Sequence, residues 1–123
     1  MDRNFSNKEN LFRAIFPPDI KKMYWNDDGT LSPSAFEDPH GEGLSVNRSG
    51  GRSDKEVADS MKNFIGSIVK LSVVNCLNIG LYLVYKPNEG NIYHSEIYDN
   101  EREKLISLTK RIEMAKFAEI VRN

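Results

Sequence analysis

The segment LYLVYKPNEGNIYHSEIY, residues 81–98, gives the clearest indication of how this chain folds. Two stretches rich in Val, Leu, Ile and Tyr, residues 72–86 and 92–98, flank the sequence Pro87-Asn88-Glu89-Gly90. Proline presets the backbone for a turn and glycine tolerates positive φ, so this tetrapeptide is expected to reverse the chain. The segment therefore predicts an antiparallel hairpin.

A further strand is predicted near the N-terminus. The apolar run Leu11 to Phe16 stops at Pro17-Pro18, and the residue before a proline is restricted to extended conformations. Residues 1–10 are polar apart from Phe5, which predicts a flexible N-terminal segment with Phe5 as its anchor. Residues 11–123 are then expected to form a single domain, because a chain of this length has apolar material for one modest core.

Two helices are predicted from their N-terminal caps. Ser53 and Glu56 have the spacing of a capping box. Asn100, with Glu103 three residues later, predicts the cap of the second helix. The expected apolar stripes are Val57, Met61, Phe64, Ile65 and Ile68 in the first helix and Leu105, Leu108, Ile112 and Ala115 in the second.

The remaining long segment, residues 26–53, holds five of the eight glycines and predicts a loop with a short strand at residues 44–46. Each apolar stripe must be buried against another element, and a sheet face is the economical choice. We therefore predict an α+β fold in which a small, mostly antiparallel sheet carries two helices packed on one face.

The composition limits the classes of partner. With 17 Lys and Arg against 18 Asp and Glu, the net charge is −1, so no long-range field favours nucleic acid or an anionic membrane. No apolar stretch approaches the roughly 18 residues of a membrane helix. The single cysteine, Cys76, cannot form an intramolecular disulfide, which favours the cytoplasm, and its apolar neighbours predict an inert core thiol.

The same composition leaves cofactors open. One cysteine and the two histidines, His40 and His94, cannot assemble a thiolate-rich zinc site, and the acidic residues lack EF-hand spacing. No metal site is therefore predicted. No other cofactor is indicated, so its identity stays unknown.

A phosphate site is predicted where the long loop meets the first helix. Arg48, Ser49, Gly50, Gly51 and Arg52 place two guanidinium groups around a glycine pair that lets a ligand approach the backbone closely. The following helix would add free N–H groups. The sequence is not a Walker A motif, and a solvated loop with a self-capped helix is the alternative interpretation.

Catalytic candidates lie in the second strand of the hairpin. The twofold repeat of a strand places His94, Glu96 and Tyr98 on one face, which offers an imidazole, a carboxylate and a phenol for acid–base chemistry. The same pattern suits a strand face turned to water. Arg13, a charge within an apolar run, is the third catalytic candidate, as a substrate clamp or as a structural partner of Glu96.

Four segments, LFRAI at 11–15, SAF at 34–36, GLSVNR at 43–48 and HSEI at 94–97, resemble small uncharacterised bacterial proteins, which implies a bacterial or phage origin. The order Arg13, Ser45 and Glu96 is also similar to the Arg–Ser–Glu order of ADP-ribosyltransferase-like domains. The chain departs from that pattern, because a lone Ser replaces a Ser-Thr-Ser run and His94 stands in place of the second Glu.

Two functions follow from these features. The first is a bacterial accessory or protein-interaction domain that pairs with a second copy or another protein through its aromatic hairpin. The second is an enzyme acting on a nucleotide or nucleic-acid phosphate, with NAD-dependent ADP-ribosyl transfer as one form. It requires Arg13, Arg48, His94 and Glu96 to converge on one cleft. The first is favoured because it demands less of the sequence.

Overall fold

The computed structural model describes all 123 residues and confirms the α+β class and the antiparallel sheet. Six strands lie in the order β4-β5-β2-β1-β3-β6, and every neighbouring pair is antiparallel. The strands are β1 Asn10–Ile15, β2 Leu44–Arg48, β3 Ser67–Ser72, β4 Tyr82–Tyr85, β5 His94–Tyr98 and β6 Glu119–Arg122. The helices are α1 Asp54–Ser60, α2 Val73–Asn78 and α3 Leu108–Phe117, with 3-10 turns at Lys22–Tyr24 and Pro33–Phe36. None of the helices has the length and apolar character needed to span a membrane.

Strand β1 is buried on both sides, and its alternation divides the interior into two cores. Leu11 and Ile15 face the larger core, to which α2, α3 and the turn at Pro33–Phe36 contribute. Phe12 faces the smaller core with Val57 of α1 and Ile68 of β3. Two helices therefore pack on one face of the sheet, and α1 lies on the other.

The hairpin is confirmed, but the first half of the apolar stretch 72–86 folds differently. Strand β4 pairs with β5 across the expected turn. Residues 73–78 form α2 instead of a strand, because the Ser72 hydroxyl caps the helix by accepting a hydrogen bond from Asn75 N–H. Gly80, with φ of +81°, follows the helix and turns the chain toward β4. A short apolar run does not by itself distinguish a buried helix from a strand.

The first predicted helix is shorter than its stripe. Its capping box is present, with Ser53 and Glu56 each accepting from the other's backbone N–H. The helix ends at Ser60 because the chain must turn into β3, where Gly66 lies so close to the Ile15 backbone that no side chain fits. Ile68 still reaches the smaller core, but from a strand.

The second predicted helix begins seven residues late, and of its expected stripe Ala115 packs against the larger core, whereas Leu105, Leu108 and Ile112 are exposed. Asn100 accepts from the N–H groups of Arg102 and Glu103 in an isolated turn, and the helix cap is Ser107. Leu105 and Leu108 are more than half exposed, at 54% and 56%. Met114 is the residue of α3 that is fully buried.

These side-chain orientations predict a large loss of stability for one truncation in α3 and a small loss for another. Met114→Ala should lower the free energy of unfolding by about 2–5 kcal/mol, the usual cost of removing a buried side chain of this size. Leu108→Ala should change it by less than about 1 kcal/mol, because an exposed side chain leaves no cavity. Urea denaturation of both variants measures the difference, and comparable losses would contradict this orientation of α3.

Candidate functional site

The predicted phosphate loop already holds an anion, which the chain itself supplies. The Arg48 side chain is buried, and it donates from Nε to Glu9 Oε1 at 2.9 Å and from Nη2 to Glu9 Oε2 at 2.7 Å. Gly50 N–H donates to Glu9 Oε1 at 2.9 Å, and Ser6 N–H donates to Oε2, also at 2.9 Å. The carboxylate of Glu9 thus occupies the position that a phosphate would need.

The first five residues complete this enclosure. Arg48 also donates from Nη1 to the carbonyl of Asp2 and from Nη2 to that of Asn4. Its guanidinium lies 4.3 Å from the ring centre of Phe5 and 4.8 Å from that of Tyr85. Phe5 packs against the larger core as expected of an anchor. The N-terminal segment therefore forms one wall of the arginine's surroundings.

The other members of the loop are also engaged internally. Ser49 exchanges hydrogen bonds with the backbone of Asn10 through its hydroxyl. Arg52 donates to the carbonyls of Ser49 and Arg48 and lies 3.4 Å from the ring centre of Tyr93. Gly50 and Gly51 both adopt positive φ, which closes the loop. The loop stabilises the fold, and both of its arginines are hydrogen-bonded within the protein. Its five residues also line a cavity of about 590 Å³ together with the N-terminal segment.

Burial alone would raise the pKa of Glu9. The hydrogen bonds from Arg48, Gly50 and Ser6 outweigh it and hold the pKa below its usual value. No sequence signal marks this role, because a glutamate in a polar N-terminal stretch is ordinarily solvated. Only the fold reveals that Glu9 is buried.

Arg13 also has structural partners rather than a substrate. It extends into the larger core, where Nε donates to the carbonyl of Ala35 and Nη1 to that of Ser45. Burial lowers the pKa of Arg13, and the carbonyl bonds satisfy part of the buried guanidinium. Arg13 does not pair with Glu96, because their side chains project from opposite faces of the sheet.

On the α1 face, the half of the sheet formed by β2, β5 and β4 is not covered by a helix. His94, Glu96 and Tyr98 lie together on this open face, as the strand repeat predicts. Glu96 is the centre of the cluster: Oε1 accepts from Tyr98 Oη at 2.9 Å and lies 3.5 Å from Lys86 Nζ. Glu96 Oε2 lies 3.8 Å from His94 Nε2.

Two further features shape this cluster. Gly43, with φ of +115°, lies against Glu96 and Tyr98, and a Cβ atom there would come within 2.6 Å of Tyr98 and 2.8 Å of Glu96. Partial burial, then the hydrogen bond to Glu96, raises the pKa of Tyr98. The phenol therefore stays protonated and holds the carboxylate in place.

A groove of about 250 Å³ opens beside His94, and its walls carry polar groups, among which Ser45 was singled out by sequence. Ser45 and Asn47 of β2 line it together with Asn91 and Met61. The two asparagines are joined by a hydrogen bond from Asn91 Nδ2 to Asn47 Oδ1. No group of three His, Cys, Asp or Glu side chains is arranged to hold a metal ion.

The candidate residues do not converge on one cleft. Arg13 and Arg48 lie on the face of the sheet that packs against the larger core, whereas His94 and Glu96 lie on the open face. The same separation applies to the side chains of Arg13, Ser45 and Glu96: those of Ser45 and Glu96 share the open face, and Arg13 contacts Ser45 through its main-chain carbonyl alone. The sheet itself therefore stands between the proposed phosphate clamp and the proposed acid–base pair.

The two edges of the sheet differ in how they are protected. The β6 edge carries Glu119 and Arg122 and has a register irregularity against β3 at Ile68 and Val69. The β4 edge is Tyr82-Leu83-Val84-Tyr85, which holds no charge or proline within the strand, and Lys86 and Pro87 follow it directly. Natural proteins normally protect edges with charges, prolines or bulges, so β4 is an unprotected edge.

The chain matches no family model, no curated protein and no solved structure. The family resemblances and the activities that they imply therefore stay predictions.

The buried ion pair predicts a specific effect of Glu9→Gln. Loss of one partner from a buried pair leaves an uncompensated charge, and we expect the free energy of unfolding at pH 7 to fall by about 3–5 kcal/mol. Because the pKa of Glu9 is lowered in the folded state, its contribution is present above the unfolded pKa and is lost as pH falls through the folded pKa. Glu9→Gln should therefore lose part of the acid sensitivity of the parent protein.

Urea denaturation from pH 7 down to pH 3 measures both effects. The matched control is Asp59→Asn, which removes the exposed pair of Lys55 and Asp59. It should leave stability almost unchanged, because water already screens such a pair. Equal losses in the two variants would show that Glu9 has no special role.

Proposed function

We propose that this protein is a protein-interaction domain that pairs with a second copy of itself through strand β4. The observation that carries the proposal is the unprotected β4 edge of a sheet whose other edge, β6, is protected. Strand addition at such an edge provides backbone hydrogen bonds to any extended partner. A self-association needs, in addition, a surface that is complementary to itself.

The hydrogen-bonding pattern of β4 leaves alternate residues free at the edge. Lys86 N–H donates to the His94 carbonyl at 3.0 Å, in the same register that pairs Val84 with Glu96 and Tyr82 with Tyr98. Hydrogen-bonded pairs alternate along an antiparallel ladder. The N–H and C=O groups of Leu83 and Tyr85 therefore point away from β5, toward the edge.

An antiparallel pair centred on Leu83 is consistent with this alternation. Leu83 would face Leu83 of the second copy and exchange both backbone hydrogen bonds with it. Tyr82 would then lie opposite Val84, and Leu81 opposite Tyr85, so that apolar side chains meet apolar side chains on both faces. The twofold axis is normal to the sheet, and the two sheets continue as one.

An apolar groove beside β4 supports the same interface. It has a volume of about 270 Å³, and five of its seven lining residues are apolar: Phe5, Leu77, Leu81, Tyr82 and Leu83, beside the polar Arg3 and Asn4. Leu77 is 48% exposed and Tyr82 is 41% exposed in the single chain. A second copy on this edge would cover both side chains, and their burial adds to the backbone bonds.

The proposal does not need an anionic ligand. The internal pairing of Arg48 and Arg52 argues against a phosphate clamp, and the separation of Arg48 from Glu96 argues against the nucleotide-directed enzyme. A bacterial cytoplasm stays the expected compartment, and the free thiol of Cys76 is compatible with it, since burial raises the pKa of that thiol to about 12 and keeps it unreactive.

The proposal predicts a dimer that one charge on the β4 edge dissociates. Light scattering after size exclusion should give twice the chain mass of 14.1 kDa. Val84→Lys should weaken association by at least about tenfold, because a lysine at the centre of an edge must lose its hydration when a second strand pairs there. Circular dichroism should show that the variant remains folded.

The matched control places the same charge on the other edge. Ile120→Lys in β6 replaces a side chain that is 43% exposed and should leave the dimer intact. A monomeric parent protein at several hundred micromolar, or dissociation by Ile120→Lys but not by Val84→Lys, would contradict the proposal.

A further inference from the structure

We infer that the open face of the sheet carries an esterase site in which Ser45 is the nucleophile, His94 the general base and Glu96 the residue that positions His94. The inference is independent of the β4 interface, because these residues belong to β2 and β5. It rests on the placement of three side chains and two amides around one groove.

Ser45 has the position that a nucleophile requires. It is exposed on the open face, and its hydroxyl makes no hydrogen bond within the protein. It lies directly opposite Glu96 in the ladder between β2 and β5. His94 is its diagonal neighbour on the same face, a separation of about 7–8 Å between backbones that a long or aromatic side chain can bridge.

His94 shares the open face with the hydroxyl and the carboxylate, and its ring makes no hydrogen bond to either. Both Ser45 and His94 line the groove of about 250 Å³, and His94 Nε2 lies 3.8 Å from Glu96 Oε2. Glu96 is in turn fixed by Tyr98 and Lys86 through its other oxygen. Ser–His–carboxylate catalysis needs one hydrogen bond from the hydroxyl to the base and another from the base to the carboxylate, and the inference requires both to form when substrate binds.

The side-chain amides of Asn47 and Asn91 would stabilise the negative charge that develops on the acyl oxygen. Asn91 Nδ2 donates one hydrogen bond to Asn47 Oδ1, and Asn47 Nδ2 donates one to the sulfur of Met61. Each amide nitrogen keeps a second N–H, and both side chains line the groove. Asparagine amides are established donors to the oxyanion of acyl-transfer intermediates.

The groove indicates the class of substrate. Its apolar lining residues are Phe12, Ala14, Val46 and Met61. One charged residue, Arg13, also lines it, and the guanidinium of Arg13 donates to the carbonyls of Ala35 and Ser45. Such a surface suits an uncharged acyl chain, and the small volume limits that chain to a few carbons. The substrate is therefore an ester with a short, apolar acyl group.

The reaction is balanced without a cofactor. Ser45 Oγ forms a bond to the acyl carbon while His94 takes the hydroxyl proton. The bond to the alcohol oxygen breaks, and His94 returns the proton to that oxygen. Water then attacks the acyl-serine and gives a proton to His94, which returns it to Ser45 Oγ as the carboxylic acid leaves.

The test is covalent capture of Ser45. A fluorophosphonate should phosphonylate Ser45 with loss of fluoride, and peptide mass spectrometry should locate the adduct. The parent protein should hydrolyse p-nitrophenyl acetate, and His94→Gln should lower kcat by at least about 100-fold, the usual contribution of a general base. Ser45→Ala should abolish both the adduct and the hydrolysis.

Glu96→Gln tests positioning, and it should lower kcat while KM stays within about twofold, because the groove itself is unchanged. The matched control Ser34→Ala, in a 3-10 turn on the other face, should retain both labelling and hydrolysis. Absence of the adduct on Ser45 overturns the inference. Parental turnover by Ser45→Ala together with an inactive His94→Gln also overturns it, because that result indicates catalysis by the imidazole alone.

Discussion

The buried pair of Arg48 and Glu9 is the interaction on which the arrangement of this chain depends. It connects the last residue of β2 to the residue just before β1, and it includes the glycine loop through Gly50 N–H. A guanidinium at this depth is tolerable because two carbonyls, a carboxylate and two aromatic rings surround it. The N-terminal segment thereby becomes part of the fold.

The central strand imposes the second constraint. Since β1 is covered on both faces, each neighbouring strand must send alternate residues into different environments. On β2 this alternation sends Arg48 toward the larger core and Ser45 and Asn47 to the open face. Arg48 is thus separated by the sheet from the polar side chains of Ser45 and Asn47, although the three residues are close in sequence.

The sequence was informative wherever the signal is local. The turn at Pro87, the capping box at Ser53 and the shared face of His94, Glu96 and Tyr98 depend on residues a few positions apart, and all three are present. It was misleading where tertiary contacts decide. The exposed Leu108 and the buried Met114 exchange the roles that periodicity assigns, and Val73–Asn78 is a helix because Ser72 caps it. The burial of Glu9 could not be predicted, because its partner is 39 residues away.

The charged and irregular β6 edge sets the size that any assembly can reach. In a pair formed through β4, both outer ends of the joined sheet would be β6 strands, and each carries Glu119, Arg122 and the register shift against β3. A third chain would find no unprotected strand to extend. Growth by strand addition would therefore stop at a closed, twofold assembly, and the β6 strands at its two ends would make it resistant to fibre formation.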